Sequence, residues 1–163
     1  MATDGSLKGD GRMGAAFVSM GDRLPARSVT VLGSASSTRP ELTGIAIALE
    51  ASPSGEDLTI LTDSLVAMTT LFSLRRADFP LSIHRNACRQ LITHVVKLLN
   101  ERQAAGVVTR FIKVKSHRGE PLNEAADALA SLAAEADDSL PMPQQLEPDR
   151  VHFYVRVFQL NGV

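Results

Sequence analysis

Apolar residues in the first part of the chain follow the every-second-residue spacing of β-strands, interrupted by glycine-containing turns. A first strand would carry Asp4, and the segment 9–11 would turn the chain. The next two strands would form a hairpin closed at Gly21-Asp22. The strands after the first are expected over 13–20, 26–32, 57–61 and 107–115.

Elsewhere the apolar residues recur every three to four positions, which is the spacing of helices with one buried face. Pro40 suits a helix start, because its missing N–H would be unpaired there anyway, and Gly106 is placed to end a helix. The helices are expected over 40–52, 65–74, 83–105 and 123–136. The order of elements predicts an α/β fold with a five-stranded mixed sheet flanked by helices. Strands 1–3 would be antiparallel, and strands 1, 4 and 5 parallel.

The composition changes near the end of the chain. Residues 138–150 have the Pro, Gln and acidic content of a linker. Residues 151–163 begin as a short aromatic strand, which indicates an added strand or the start of a following segment. Only three residues precede Asp4, so we expect a truncated first strand. The chain is therefore expected to be one folded domain over 1–137 within a longer protein.

A composition of 44% hydrophobic and 21% charged residues is typical of a globular protein. No apolar run approaches the length of about 20 residues that crosses a membrane. The single cysteine, Cys88, excludes an internal disulfide and is expected to be buried among apolar neighbours. The net charge of −1 hides a basic middle, because residues 75–118 hold ten Lys and Arg against two acids. Such a cluster is typical of phosphate binding, although a solvated helix face gives the same pattern.

Four carboxylates stand in separate segments, each in a local frame suited to a metal ligand. They are Asp4 in TDGS, Glu41 in PEL, Asp63 in TDS and Asp127 in NEAAD. Asp4 and Asp63 belong to neighbouring strands of the predicted sheet, so their side chains can converge. Carboxylates that close repel and raise one another's pKa. Divalent cations, which prefer oxygen ligands, would relieve that repulsion.

The chain resembles type 1 ribonuclease H, and within that family the domains attached to reverse transcriptases of retroelements. The resemblance covers about residues 1–137. Four short segments carry it in the order of the family, and His117 stands ten positions before Asp127. They are TDGS at 3–6, PELTGIAIALE at 40–50, TDS at 62–64 and VKSHRGEPLNEAADALA at 114–130.

This resemblance implies a metal-dependent endonuclease that hydrolyses the RNA strand of RNA–DNA hybrids to 5′-phosphate and 3′-hydroxyl ends. It implies a two-ion site for Mg²⁺, with Mn²⁺ as a substitute, held by Asp4, Glu41, Asp63 and Asp127. His117 would be a mobile proton shuttle that also assists product release. The expected partners are the hybrid and a fused reverse transcriptase domain. No membrane partner is expected, and the isolated domain should be monomeric.

Nucleic-acid contacts are expected both beside the carboxylates and in the basic middle. Small residues after Asp4 would let the RNA strand approach, and the segment before Glu41 would lie along the backbone. The predicted contacts are Gly5, Ser6, Ser37, Thr38, Arg39, Arg75, Arg76, Arg85 and Arg89. Bacterial members of the family carry a Trp-rich basic protrusion, whereas this chain has no tryptophan. We therefore expect weak autonomous substrate binding.

Two other functions fit parts of the pattern. A non-catalytic domain of this type could support a reverse transcriptase, and a frayed first strand would misplace Asp4. The presence of all four carboxylates and His117 argues against that interpretation. A transposase or integrase would share the fold, but the TDGS segment and the spacing from His117 to Asp127 argue against it.

Overall fold

The computed structural model describes residues 1–21, 24–76, 86–116 and 118–136, and for residues 74–76 the main chain alone. These ranges contain a sheet and its flanking helices. The strands are β1 (Ala2–Leu7), β2 (Met13–Val18), β3 (Arg27–Val31), β4 (Leu58–Thr62) and β5 (Thr109–Lys113). The helices are α1 (Thr38–Ala51), α2 (Leu65–Arg76), α3 (Arg89–Ala104) and α4 (Pro121–Glu135).

The strands form one mixed sheet in the order β3-β2-β1-β4-β5. β2 pairs antiparallel with both β1 and β3, whereas β4 pairs parallel with both β1 and β5. This is the five-stranded mixed sheet that the order of elements predicted, and it is the ribonuclease H-like fold that the resemblance implies, so the predicted α/β fold is confirmed.

The two faces of the sheet are covered by different helices. On one face, Met13 and Phe17 of β2 pack with Ile47 and Ala48 of α1. The same helix contacts α3 and β4 through a second buried cluster that includes Ile45 and other apolar residues. On the opposite face, α4 lies across β1, β2 and β3. The site described below lies where α1 and α4 both approach β1.

Two glycines allow that approach. A Cβ on Gly14 of β2 would collide with the main chain of Ala130 and Ala134 in α4. A Cβ on Gly44 of α1 would lie 3.0 Å from the main-chain oxygen of Asp4. α4 therefore packs directly against the backbone of β2 and α1 against the backbone of β1, which fixes the distance of both helices from the sheet.

The start of the third helix differs from the prediction. Of the expected helix over 83–105, residues 83–85 lie outside the described residues, and α3 begins at Arg89. Asn86 forms a turn before it: its Oδ1 accepts the N–H of Cys88 at 2.8 Å and its carbonyl accepts that of Arg89 at 3.0 Å. Asparagine commonly competes with helical hydrogen bonding in this way. Cys88 itself is buried, with 4% of its surface exposed, as predicted.

The other ends agree more closely. α1 begins at Thr38, so Pro40 is its third residue. The first four N–H groups of a helix have no partner within the helix, so the missing N–H of Pro40 costs no hydrogen bond there. Gly106 follows α3 with a φ of +78°, as a helix-ending glycine does. The predicted linker and the segment after it lie outside the described residues. Within the described ranges, no helix has both the length and the apolar character needed to cross a membrane.

Candidate active site

Asp4 and Asp63 lie side by side because of the sheet register. β1 and β4 are parallel neighbours, and Ala2 pairs with Leu61. Two residues farther along each chain, this pairing places Asp4 beside Asp63. Asp4 is buried, with 6% of its surface exposed, and its Oδ1 accepts the Gly5 N–H at 2.7 Å. The sheet alone therefore brings together two of the four predicted carboxylates.

Glu41 reaches the same place from the first turn of α1. A Cβ on Gly5 would collide with the main chain of Pro40 and Glu41, so a residue without a side chain is needed where the helix start meets β1. The sequence suggested that Gly5 makes room for the RNA strand. The structure explains this glycine by helix packing, and a contact of Gly5 with nucleic acid stays a prediction.

Asp4, Glu41 and Asp63 form one cluster of oxygen atoms, in which one carboxylate oxygen of each lies within 4.8 Å of the others. Asp127 is half-buried in the second turn of α4 and lies close enough for its charge to raise the pKa of Glu41. The structure thus places Asp4, Glu41 and Asp63 in one cluster, and Asp127 of α4 acts on that cluster through its charge.

The electrostatics of the cluster centre on Glu41. Burial raises the pKa of Glu41 to about 9, and the negative charges of Asp4, Asp63 and Asp127 contribute to the rise. The Oε2 atom of Glu41 is enclosed and has no hydrogen-bond partner among the described residues. In the protein alone, Glu41 is therefore protonated at neutral pH.

The residues present fit a divalent metal ion. Every donor in the cluster is a carboxylate oxygen, which is the ligand type that hard divalent cations prefer. A cation would give the enclosed Oε2 of Glu41 a partner and would offset the repulsion among the acids. Asp4, Glu41 and Asp63 can therefore hold a metal ion.

One residue near the cluster was missed by sequence reasoning. Lys113 ends β5, and its register partner is Thr62, the residue directly before Asp63. Its positive charge lowers the pKa of Glu41 and so opposes the effect of the acids. Its Nζ also donates to the carbonyl of Val114 at 2.6 Å. The parallel pairing of the last two strands was predicted, and applying it residue by residue would have placed this lysine beside the site.

The segment before Glu41 has defined contacts. Ser36 Oγ accepts the N–H of Thr38 at 3.3 Å, whereas Ser37 is exposed and its side chain makes no capping bond. Arg39 donates to two main-chain carbonyls, that of Ser34 in the loop before α1 and that of Ala87 in the turn before α3. The predicted contacts of Ser37, Thr38 and Arg39 with nucleic acid stay predictions.

The remaining predicted residues are more distant or lie outside the described residues. Ser6 is half-buried on the same sheet face as Asp4. Arg89 is exposed at the first position of α3. Outside the description lie His117, Arg85 and the side chains of Arg75 and Arg76. The roles predicted for all of these residues stay predictions.

The comparison with known families agrees with this geometry. A family model described as RNase H matches residues 1–135, which include every described strand and helix and all four carboxylates. No curated protein matches the chain. Enzymes of the matched family hydrolyse the RNA strand of RNA–DNA hybrids and generally use divalent metal ions. The chain therefore belongs to the type 1 ribonuclease H family and is a ribonuclease H.

Proposed function

We propose that this protein is a metal-dependent endonuclease that cuts the RNA strand of RNA–DNA hybrids and leaves 5′-phosphate and 3′-hydroxyl ends. The observation that carries the proposal is the cluster of Asp4, Glu41 and Asp63, whose ligand oxygens lie within 4.8 Å of one another. The raised pKa of Glu41, about 9, supports it, because the protein alone stabilises the charged cluster poorly.

Asp4, Glu41, Asp63 and Asp127 would hold two Mg²⁺ ions, for which Mn²⁺ would substitute. When bound, such ions stabilise the negative charge that develops at phosphorus and make water a stronger nucleophile at neutral pH. Glu41 must release its proton before it can act as a ligand. Its raised pKa therefore makes ion binding stronger as the pH rises.

The chain's other residues would move protons and orient the substrate. His117 would exchange a proton with the leaving group, because an imidazole titrates near neutral pH. Two residues after it, the N–H of Gly119 donates to Glu124 Oε1 at 2.9 Å. Lys113 would attract the phosphate that the neighbouring acids repel.

Recognition of the hybrid would combine RNA-specific and backbone contacts. The 2′-hydroxyl is the group by which a protein distinguishes RNA from DNA, and Ser6 lies on the sheet face of Asp4, where a hydroxyl could meet it. The basic middle, including Arg75, Arg76, Arg85 and Arg89, would neutralise backbone phosphates. The absence of tryptophan leaves this region without the stacking groups of bacterial members.

We also propose a retroelement setting. Residues 1–137 would form the ribonuclease H domain, 138–150 a linker and 151–163 an added strand or the start of a following segment. A fused reverse transcriptase would supply the substrate affinity that the isolated, monomeric domain lacks. The resemblance of the carboxylate segments to retroelement domains supports this setting, and a polymerase sequence upstream in the coding region would test it.

The function is tested with an end-labelled RNA–DNA hybrid and an RNA–RNA duplex of the same sequence, each with Mg²⁺. The account predicts cleavage of the RNA strand in the hybrid alone and fragments with 5′-phosphate ends. Asp4→Asn should abolish cleavage, whereas the control Asp10→Asn, on an acid exposed in the turn after β1, should not. Equal cleavage of both substrates contradicts the proposal. Cleavage of neither is the result expected of a non-catalytic domain.

A further inference from the structure

Arg39 stands two residues before Glu41, in the first turn of α1, and is half-buried. The sequence predicted Arg39 as a nucleic-acid contact, in a segment that would lie along the substrate backbone. In the structure its guanidinium is already engaged with the protein's own main chain. Nε donates to the carbonyl of Ser34 at 3.3 Å, and Nη2 donates to the carbonyl of Ala87 at 3.0 Å.

These two acceptors belong to different segments. Ser34 lies in the loop between β3 and α1, the loop that continues into Ser37 and Thr38. Ala87 lies in the turn before α3, two residues before Arg89. Both segments were predicted to face the nucleic-acid backbone. Arg39 thus connects two predicted binding segments to the turn that carries Glu41.

Gly33 provides a second, independent contact with the same guanidinium. Its φ of +114° is a conformation that residues with side chains rarely adopt. A Cβ at this position would lie 3.2 Å from both Cζ and Nη1 of Arg39. The main chain of the loop therefore packs against the guanidinium itself, and an added Cβ would push the guanidinium away by a few tenths of an ångström.

We infer that Arg39 is a positioning residue, which fixes the 33–38 loop and the start of α3 relative to Glu41, and is not itself the phosphate contact. A guanidinium presents several donors in a fixed planar arrangement, so it can bond two carbonyls that lie in different directions. The lysine ammonium keeps the charge but not this geometry. The positioning role is argued from contacts within the protein, and only its effect, the correct placement of the hybrid, rests on the proposed function.

Arg39→Lys separates the two roles. If Arg39 positions the segments, Lys and Gln substitutions should both raise the KM for the hybrid, by about five- to tenfold for the loss of bonds of this strength. The slope of log affinity against log salt should stay unchanged, and kcat should change little. If Arg39 binds phosphate, Arg39→Lys should keep a near-native KM, and Arg39→Gln should reduce the salt slope by about one. The control is Arg12→Gln, which removes an exposed arginine paired with Asp10.

Gly33→Ala tests the packing contact without touching the arginine. It should displace the guanidinium and reproduce the KM of Arg39→Gln, and the double variant should be no worse than either single one. Gly106→Ala is the matched control, because Gly106 also has a positive φ, +78°, but a Cβ there meets no atom within 4 Å. Additive effects of Gly33→Ala and Arg39→Gln would overturn the inference.

Amide hydrogen exchange measures the connection without substrate. The N–H groups of Thr38, Cys88 and Arg89 are hydrogen-bonded in the two segments. They should exchange about five- to tenfold faster in Arg39→Lys and Gly33→Ala than in the native protein, and at the native rate in Arg12→Gln. Native exchange rates in both variants would overturn the inference.

Because this measurement needs no activity, a failure of the proposed function would appear separately, as absence of hybrid cleavage by the native protein. Should Arg39→Gln fail to fold, Arg39→Lys and Gly33→Ala carry the same comparison.

Discussion

Replacing Glu41 by Gln should change how the stability of the metal-free protein depends on pH. The pKa of Glu41 is about 9 in the folded protein, against the ordinary 4.5. Between these values the folded state binds one proton more than the unfolded state. The free energy of unfolding therefore falls as the pH rises, by at most about 1.4 kcal/mol per pH unit for one proton. The stabilisation is fully present below the ordinary pKa and is lost as the pH rises through the folded pKa.

From pH 5 to pH 8 this ceiling amounts to about 4 kcal/mol. Glu41 is only half-buried as a residue, so solvent screening reduces the expected loss to about 1–3 kcal/mol. Glutamine keeps the shape and stays neutral at every pH. Glu41→Gln should therefore remove this loss and make the metal-free protein more stable than the native one at pH 8.

Urea unfolding in the presence of a chelator, at pH values from 5 to 8, measures the effect. Glu101→Gln is the matched control, because Glu101 is exposed on α3 and its carboxylate lies 3.7 Å from the Lys97 ammonium. It should leave the pH dependence of the native protein unchanged. The reasoning is refuted if the native protein and Glu41→Gln lose the same free energy of unfolding across this range.

Four further predictions concern separate parts of the molecule. Gly14→Ala should destabilise the fold by about 3 kcal/mol in urea unfolding, because the added methyl meets the main chain of α4; Gly9→Ala, where a Cβ meets no atom within 4 Å, should have little effect. Arg102→Met should cost about 3 kcal/mol in the same assay, because Arg102 is buried and donates to Pro53 O and Thr109 Oγ1, both at 3.0 Å; an unchanged midpoint would contradict this. His117→Ala should lower the single-turnover rate about 10²-fold while calorimetry shows native metal affinity; a large loss of affinity would make His117 a ligand instead. Replacing Arg75 and Arg76 together by Ala should reduce the salt slope of hybrid binding by roughly one unit for each phosphate that is no longer neutralised, and an unaltered slope would make this run a solvated surface.

The sheet and the carboxylate cluster were predictable from sequence because both follow from short-range patterns. Alternating apolar residues mark β2 and β3, and helical spacing marks α1 and α4. Once the parallel pairing of β1 and β4 is inferred, Asp4 and Asp63 must lie on adjacent strands. The segment PEL then places Glu41 in a first helical turn. The elements follow from neighbours in the chain, and the pairing of β1 with β4 follows from the order of strands and helices.

The parts that were missed depend on contacts between distant segments. No periodicity indicates that Arg39 bonds the carbonyl of Ala87, which lies 48 positions away. The role of Gly5 in helix packing appears only when α1 is seated on β1. The side chain of Asn86 overrides the helical pattern locally and delays the start of α3. Such choices are decided by tertiary packing and by individual side-chain hydrogen bonds, which a single sequence does not display.

The central claim is that the carboxylate cluster performs metal-dependent cleavage of the RNA strand. Its most direct test is the single-turnover cleavage rate of a labelled RNA–DNA hybrid, measured against Mg²⁺ concentration for the native protein and for Asp63→Asn. The account predicts a native rate that rises with Mg²⁺ to saturation, and a loss of about a thousandfold or more in the variant. Native-like cleavage by Asp63→Asn, or cleavage by the native protein in the presence of a chelator, would contradict the account.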